Sequence, residues 1–211
     1  MTARRTAPER SDRSAGGDAA SVYGPREDSF LLLPFARVAA GSSLLEVGAG
    51  RGLAAVTAAR AGARVVATDL NPFALRALRA RALTERLDLA VVRTDLANGL
   101  GRFDRILSNP PYLPTAAAER DPDRWQNLAL DGGPDGCRVL ARLIDTLGDH
   151  LGPAGEAYVV VSSLQSARRR SEIRDRWVAA GGVQRVVDGR PLEGERLEVW
   201  RLTVGAGSQG G

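Results

Sequence analysis

Four consecutive residues, Asn109-Pro110-Pro111-Tyr112, suit one chemical task above any other in this sequence: holding a flat NH₂ group still. The Asn109 amide oxygen can accept one of that group's hydrogens, and the Pro110 carbonyl can accept the other. Two prolines have fixed φ and no N–H, so the loop is stiff and offers acceptors without competing donors. Tyr112 can stack on the planar group. Accepting both hydrogens keeps electron density on the nitrogen and aims its lone pair at an electrophile, which is catalysis by positioning and electrostatics. A strand ended by prolines and followed by a turn would look the same, and the tetrapeptide alone leaves the two readings level.

The elements around the tetrapeptide add weight to the chemical reading. Phe103-Asp104-Arg105-Ile106-Leu107-Ser108 reads as a buried strand, so the motif falls at a strand's carboxyl end, where open α/β sheets bind ligands. Upstream, Ser43-Leu44-Leu45-Glu46-Val47 is a short apolar strand. Gly48-Ala49-Gly50-Arg51-Gly52 and a helix to Ala61 follow it. Glycines there permit a tight turn and close backbone approach to a ligand. The spacing is G-x-G-x-G, not the G-x-G-x-x-G of dinucleotide dehydrogenases, and Glu46 is an acid just before the turn. A second strand, Val65-Val66-Ala67-Thr68, ends in Asp69, 21 positions after Gly48. An acid at that place in a βαβ unit commonly bonds a ribose hydroxyl pair. A third strand spans residues 87–92, and Asp95 beyond it is placed to accept from an exocyclic amine such as that of adenine. Together these features point to an adenosine-containing ligand.

The remaining segments are less specific. Glu27-Asp28-Ser29 precedes the apolar run 30–40, which predicts a buried helix that Pro34 would kink; Asp28 and Ser29 suit its cap. Free N–H groups at a helix start can also receive a ligand's carboxylate. Asn71-Pro72 starts a helix whose arginines read as a solvated face. Residues 114–136 form a long polar loop, suited to a lid or a substrate-binding segment. Within it Trp125 either anchors a substrate or fixes the loop to the body, the second being favoured. A helix over 137–150 puts Val139, Leu140, Leu143, Ile144 and Leu147 on one face. Cys137 reads as a small buried residue and His150 as a polar residue near the helix end, neither with any chemistry. A strand over 157–162 follows. Arg168-Arg169-Arg170 opens another helix, again a solvated face by default. Strands over 183–187 and 197–204 form an antiparallel pair through the short connection 188–195.

Composition bounds the function classes. At 211 residues and 44% hydrophobic, the chain fits one domain with a sizeable core. The net charge is +4, and all 29 basic residues are Arg. That is compatible with an RNA, DNA or ribosome-associated substrate without being a nucleic-acid footprint by itself. One Cys excludes an internal disulfide and a Cys-based cluster, and one His cannot build a metal site alone, so no metal is expected. No run is long enough to span a membrane and no apolar signal segment opens the chain, which predicts a soluble cytoplasmic protein. Residues 1–20 read as a disordered tail, 21–204 as the folded domain with order starting near Val22-Tyr23-Gly24-Pro25, and 205–211 as a flexible tail.

Acids at successive strand ends, Asn-Pro-Pro-Tyr after the fourth strand and a terminal hairpin resemble a class I S-adenosylmethionine (SAM)-dependent methyltransferase. Tyr23-Gly24-Pro25-Arg26-Glu27-Asp28-Ser29-Phe30-Leu31-Leu32, Leu45-Glu46-Val47-Gly48-Ala49-Gly50-Arg51-Gly52 and Gly132-Gly133-Pro134-Asp135-Gly136 are similar to the short, single-domain branch of the HemK/PrmC family. That branch includes eukaryotic and archaeal release-factor glutamine methyltransferases. The resemblance implies a seven-stranded, mostly parallel, doubly wound α/β sheet with a C-terminal antiparallel hairpin. It also implies SAM as cofactor: Ser29 near the methionine end, Gly48 and Gly50 beneath it, Glu46 orienting the turn and the amino group, Asp69 on the ribose and Asp95 on the adenine amine. Asn109 and Pro110 would grip the target NH₂ beside Pro111, with Tyr112 against its plane. The implied acceptor is a glutamine side-chain amide of a protein such as a release factor. Adenine or cytosine amines of nucleic acid, protein lysine, a small metabolite amine and non-catalytic SAM sensing are the alternatives. The longer bacterial members carry an N-terminal substrate domain that is not matched here, and eukaryotic members use a small activator subunit.

Overall fold

Alternation along short strands decides the layering. In β1 (Ser43–Val47), Leu44 joins Leu107, Val160 and Val199 beneath α2 (Leu53–Arg60) and α3 (Pro72–Glu85). Leu45 and Val47 point to the opposite face and join Ile106, Val159 and Val161 beneath α5 (Arg138–His150) and α6 (Ala167–Ala179). Two buried clusters therefore sandwich one sheet. The structure, a computed structural model, describes residues 27–205. The expected tails, the onset of order at Val22-Tyr23-Gly24-Pro25 and the first half of the Tyr23–Leu32 motif lie outside the described residues, except that Gly205 donates its N–H to the Gly181 carbonyl at 2.9 Å.

The other strands are β2 (Arg64–Asp69), β3 (Leu89–Arg93), β4 (Phe103–Ser108), β5 (Leu151–Ser162), β6 (Gly182–Leu192) and β7 (Glu195–Val204), in the order β3-β2-β1-β4-β5-β7-β6. β1 runs parallel to both β2 and β4, β2 to β3, and β4 to β5; β7 is antiparallel to β5 and β6. This is the seven-stranded, mostly parallel sheet with a terminal antiparallel hairpin that the sequence implied. The strand order reverses between β1 and β4, which creates a crevice at their carboxyl ends. α3 starts as expected, with Asn71 Oδ1 accepting the Phe73 N–H at 3.0 Å and Pro72 in the first turn.

Three expectations change. The apolar run 30–40 is not one kinked helix. It is a single turn, α1 (Glu27–Phe30), followed by a 3₁₀ turn, Leu33–Ala36. Tertiary contacts override helical propensity there: Phe35 stacks on Tyr158 at 4.2 Å, and its carbonyl accepts from Arg105 at 3.1 Å. The long loop 114–136 contains α4 (Arg124–Leu130), whose start is capped by Asp123 accepting the Trp125 N–H at 2.8 Å. The last two strands extend through most of the expected 188–195 connection, leaving Glu193-Gly194 as the turn, with Gly194 at φ 70°.

On α5, Leu140, Leu143, Ile144 and Leu147 are buried as expected, while Val139 is half-buried and turns toward the crevice. Burial pushes the Cys137 thiol up to about 11, so it is inert. His150 ends the helix with Nδ1 3.2 Å from the Gly101 carbonyl. Among the described residues no helix is long and apolar enough to cross a membrane, and no His/Cys/Asp/Glu group is placed to hold a metal. Leu143→Ala should cost about 2–5 kcal/mol in urea denaturation. Leu83→Ala, at a side chain 74% exposed, should stay within about 0.5 kcal/mol.

Candidate active site

A cleft of about 980 Å³ opens at the β1/β4 reversal. It is lined by all ten residues that the sequence singled out: Ser29, Glu46, Gly48, Gly50, Asp69, Asp95, Asn109, Pro110, Pro111 and Tyr112. Five separate chain segments thus meet there. Two hydrogen bonds that the sequence did not reveal lock the strand ends together. Buried Ser108 donates Oγ to the Val47 carbonyl at 3.0 Å, and buried Thr68 donates to the Leu96 carbonyl at 2.8 Å. Strand ends in register across β3, β2, β1 and β4 hold the acids and the 109–112 loop on one rim.

On the β1–β2 side of the cleft the glycine turn wraps an acid. Gly48 and Gly50 have φ of 69° and 53°, a left-handed backbone that glycine adopts without steric cost. Gly50 donates its N–H to Asp69 Oδ2 at 2.8 Å, and Asn71 donates its own to Oδ1 at 2.8 Å. Each carboxylate oxygen keeps a lone pair for a further donor. Glu46 is buried behind the turn, with Oε2 accepting the Ala55 N–H at 2.7 Å. Burial raises its pKa from 4.5 to about 7; the Ala55 and Ala54 N–H groups pull against that rise, and the Asp69 charge adds to it. Asp95 lines the far end but is engaged rather than free: Arg142 on α5 holds its Oδ2 at 2.6 Å.

On the other side, Asn109 Oδ1 is buried and accepts no hydrogen bond among the described residues. A buried acceptor without a donor is costly, and Asn109 is itself one of the residues that line the cleft. Tyr112 reaches across to Asp28, donating its O–H to Oδ2 at 3.2 Å, while Oδ1 takes the Ser29 N–H at 2.7 Å. Asp28 is only 5% exposed. A local reading of the sequence assigns it only a cap's role, because its partner stands 84 positions away. Trp125 packs edge-on against Phe73, with centroids 6.0 Å apart and Arg124 over its face, and it also walls the cleft. The loop beyond Tyr112 is stitched to residues 130–133: Leu113 donates to Leu130, and Gly132 donates back to Leu113. Asp131, also buried, pairs with Arg120 and Arg138 at 3.0 and 3.1 Å. Burial opposes its charge, but the Gly133 N–H and the two arginines outweigh that and hold its pKa below the usual range.

A seven-stranded sheet in this order, with a glycine turn after the first strand and acids on the next strand ends, is the architecture of class I SAM-dependent methyltransferases. The family model described as "Methyltransferase small domain" matches residues 27–128. A Methanocaldococcus jannaschii protein named as a candidate protein N5-glutamine methyltransferase is 39% identical over 145 residues, covering 68% of this chain and 73% of that one. The release factor glutamine methyltransferase of Deinococcus radiodurans is 39% identical over 137 residues, 62% of this chain, but the match spans about half (49%) of its length. In the solved E. cuniculi Mtq2–Trm112 complex, described as responsible for methylating the eRF1 termination factor, the matching chain has a TM-score of 0.67 and 25% identity, covering 87% of this chain and 99% of that one. The chain belongs to the HemK-type family of class I SAM-dependent methyltransferases.

Charging a carboxyl that titrates near 7 instead of 4.5 costs the fold about 3 kcal/mol, a cost absent below the lower value and complete above the upper one. Glu46→Gln should therefore stabilise the ligand-free protein by up to about 3 kcal/mol at about pH 8, with the gain vanishing near pH 4. Urea denaturation at the two pH values checks this.

Proposed function

We propose that this enzyme transfers the methyl of SAM to the side-chain amide nitrogen of a protein glutamine, with a translation release factor as the substrate. The observation that carries the reading is the unpartnered, buried Oδ1 of Asn109, a residue of the cleft lining. A primary amide brings an N–H donor to it and a second N–H for the Pro110 carbonyl. Tyr112, tethered by Asp28, lies against the plane of the amide. The names of the relatives and of the structural neighbour support the glutamine reading.

The cleft's other half fits the cofactor. Asp69 has a free lone pair on each oxygen for a vicinal diol, Glu46 supplies a buried negative charge for an α-amino group, and Asp95 faces the adenine end. When bound, SAM supplies an electrophilic methyl. What the chain itself contributes is positioning. Asn109 and Pro110 accept both amide hydrogens, keep density on nitrogen and fix its approach, while the cleft excludes water. Among the described residues the cleft lining contains no His or Cys, which fits catalysis without a strong general base. The E. cuniculi neighbour was solved with a second subunit, and a comparable small activator belongs to the proposal as a partner of this chain.

The test is labelled methyl transfer from SAM into a cell extract, split into protease- and nuclease-treated halves, with and without such a subunit. Label lost only with protease and mapped to glutamine supports the reading; label lost only with nuclease overturns it in favour of a nucleobase amine. Asn109→Ala should lower kcat by on the order of 10²-fold while the SAM Kd stays within about threefold, as expected for one preorganised hydrogen-bond group. Retained turnover would discard the role of Asn109.

A further inference from the structure

A buried polar cluster lies behind the cleft and lines none of it. Ser162 at the end of β5, Gln165 just beyond it and Glu195 at the start of β7 are 0%, 2% and 8% exposed. Ser162 donates Oγ to Glu195 Oε1 at 2.6 Å and accepts the Leu164 N–H at 3.0 Å. The Ser162 N–H goes to Gln165 Oε1 at 2.9 Å, and Gln165 Nε2 donates to the Gly136 carbonyl at 2.8 Å. The donor at one end and the acceptor at the other leave the Gln165 amide only one orientation.

Burying three polar side chains is costly unless each is satisfied, and a satisfied network fixes geometry rather than adding much stability. What this one fixes is the turn 132–136. Gly136 has φ 73°, and a Cβ there would lie 2.5 Å from the Tyr112 carbonyl oxygen and 3.1 Å from Gln165 Cγ. The Gly136 backbone is thus pressed between the catalytic loop and Gln165 with no room for a side chain. Gln165 holds its carbonyl from one side, and Tyr112 rests on its other. The neighbouring Ser166 N–H closes the same contact by donating to Asp135 at 2.9 Å.

We propose that Gln165 is a positioning residue for methyl transfer, acting through Gly136 to set where the 109–112 loop stands; this rests on the role given to that loop above. A displacement of about 1 Å at a reacting group can cost on the order of 10²-fold in rate. Gln165 touches neither end of the reaction, so its loss should spare cofactor binding and lower turnover.

The experiment compares wild type with Gln165→Leu and Gln165→Met, which both remove the two hydrogen bonds, the second keeping the unbranched shape of the side chain. Three quantities are read: kcat for labelled methyl transfer, SAM Kd by calorimetry, and amide hydrogen exchange at Leu113. The expected result is a kcat at least about tenfold lower, a Kd within about twofold, and faster exchange at Leu113 with β1 to β3 unchanged. Wild-type kcat in either variant overturns the proposal. So does a parallel loss of SAM affinity with exchange rising through the whole sheet, which would mark general destabilisation. Should the wild type transfer nothing to glutamine, the functional reading above fails, and exchange at Leu113 still decides this one: unchanged exchange overturns it, and a local rise in both variants sustains it.

Discussion

Where β1 lies beside β4, α2 packs on one face of the sheet and α5 on the other, so neither covers the ends of the two strands. The parallel pairing that makes this gap is continuous from Leu44↔Arg105 to Val47↔Ser108, and the Ser108 hydroxyl fastens its open end to the Val47 carbonyl. The glycine turn and the 109–112 loop both leave from this point. The glycine turn and the 109–112 loop can therefore stand side by side only because two strands, far apart in sequence, end at the same height. A slip of one residue would send the side chains of Leu45 and Ile106 to the wrong face and bury the loop's acceptors among hydrocarbon.

The cleft that results is electrostatically expensive. Glu46 is buried with Asp69 as a like-charged neighbour, and only backbone N–H groups offset it. A domain optimised for stability alone would not keep a carboxylate that resists ionisation near neutral pH. Under the proposed function an incoming ammonium group relieves this cost, so the same burial that weakens the free protein strengthens cofactor capture. Asn109 repeats the pattern with a neutral group: its Oδ1 is buried without a donor among the described residues, and under the proposed function the substrate amide supplies one.

Much of this was legible in the sequence because it is written locally. Strand ends with acids, a glycine turn and a proline-stiffened loop each occupy a handful of adjacent residues, and their spacing predicts a doubly wound sheet that brings all ten candidates into one cleft. What escaped is written in pairs. Asp28 reads as a cap until Tyr112 is found beside it, and Ser108 reads as the polar end of a strand until it meets Val47. The 30–40 run shows the converse failure. Its apolar residues favour a helix, but the stack of Phe35 on Tyr158 and the grip of Arg105 on the chain stop it after short turns. α4 was hidden by its acidic, proline-containing entry, although Asp123 was in place as its cap.

Stiffness of the 109–112 loop cannot come from its prolines alone. Pro110 and Pro111 fix two φ angles, which shapes the loop but does not place it relative to the sheet. Placement comes from three directions by three kinds of force. Asp28 holds the Tyr112 hydroxyl, the Gly136 backbone blocks the Tyr112 carbonyl from behind, and the segment after Leu113 is tied to Asp131. Asp131 is itself fixed by Arg138 on α5, whose neighbours Leu140 and Ile144 lie in the buried cluster on that face. Its pairing with two arginines holds its pKa down, so this anchor stays charged at pH values where Glu46 has already taken up a proton. The loop is thus seated on a part of the fold that does not respond to pH near neutrality, while the cofactor side does.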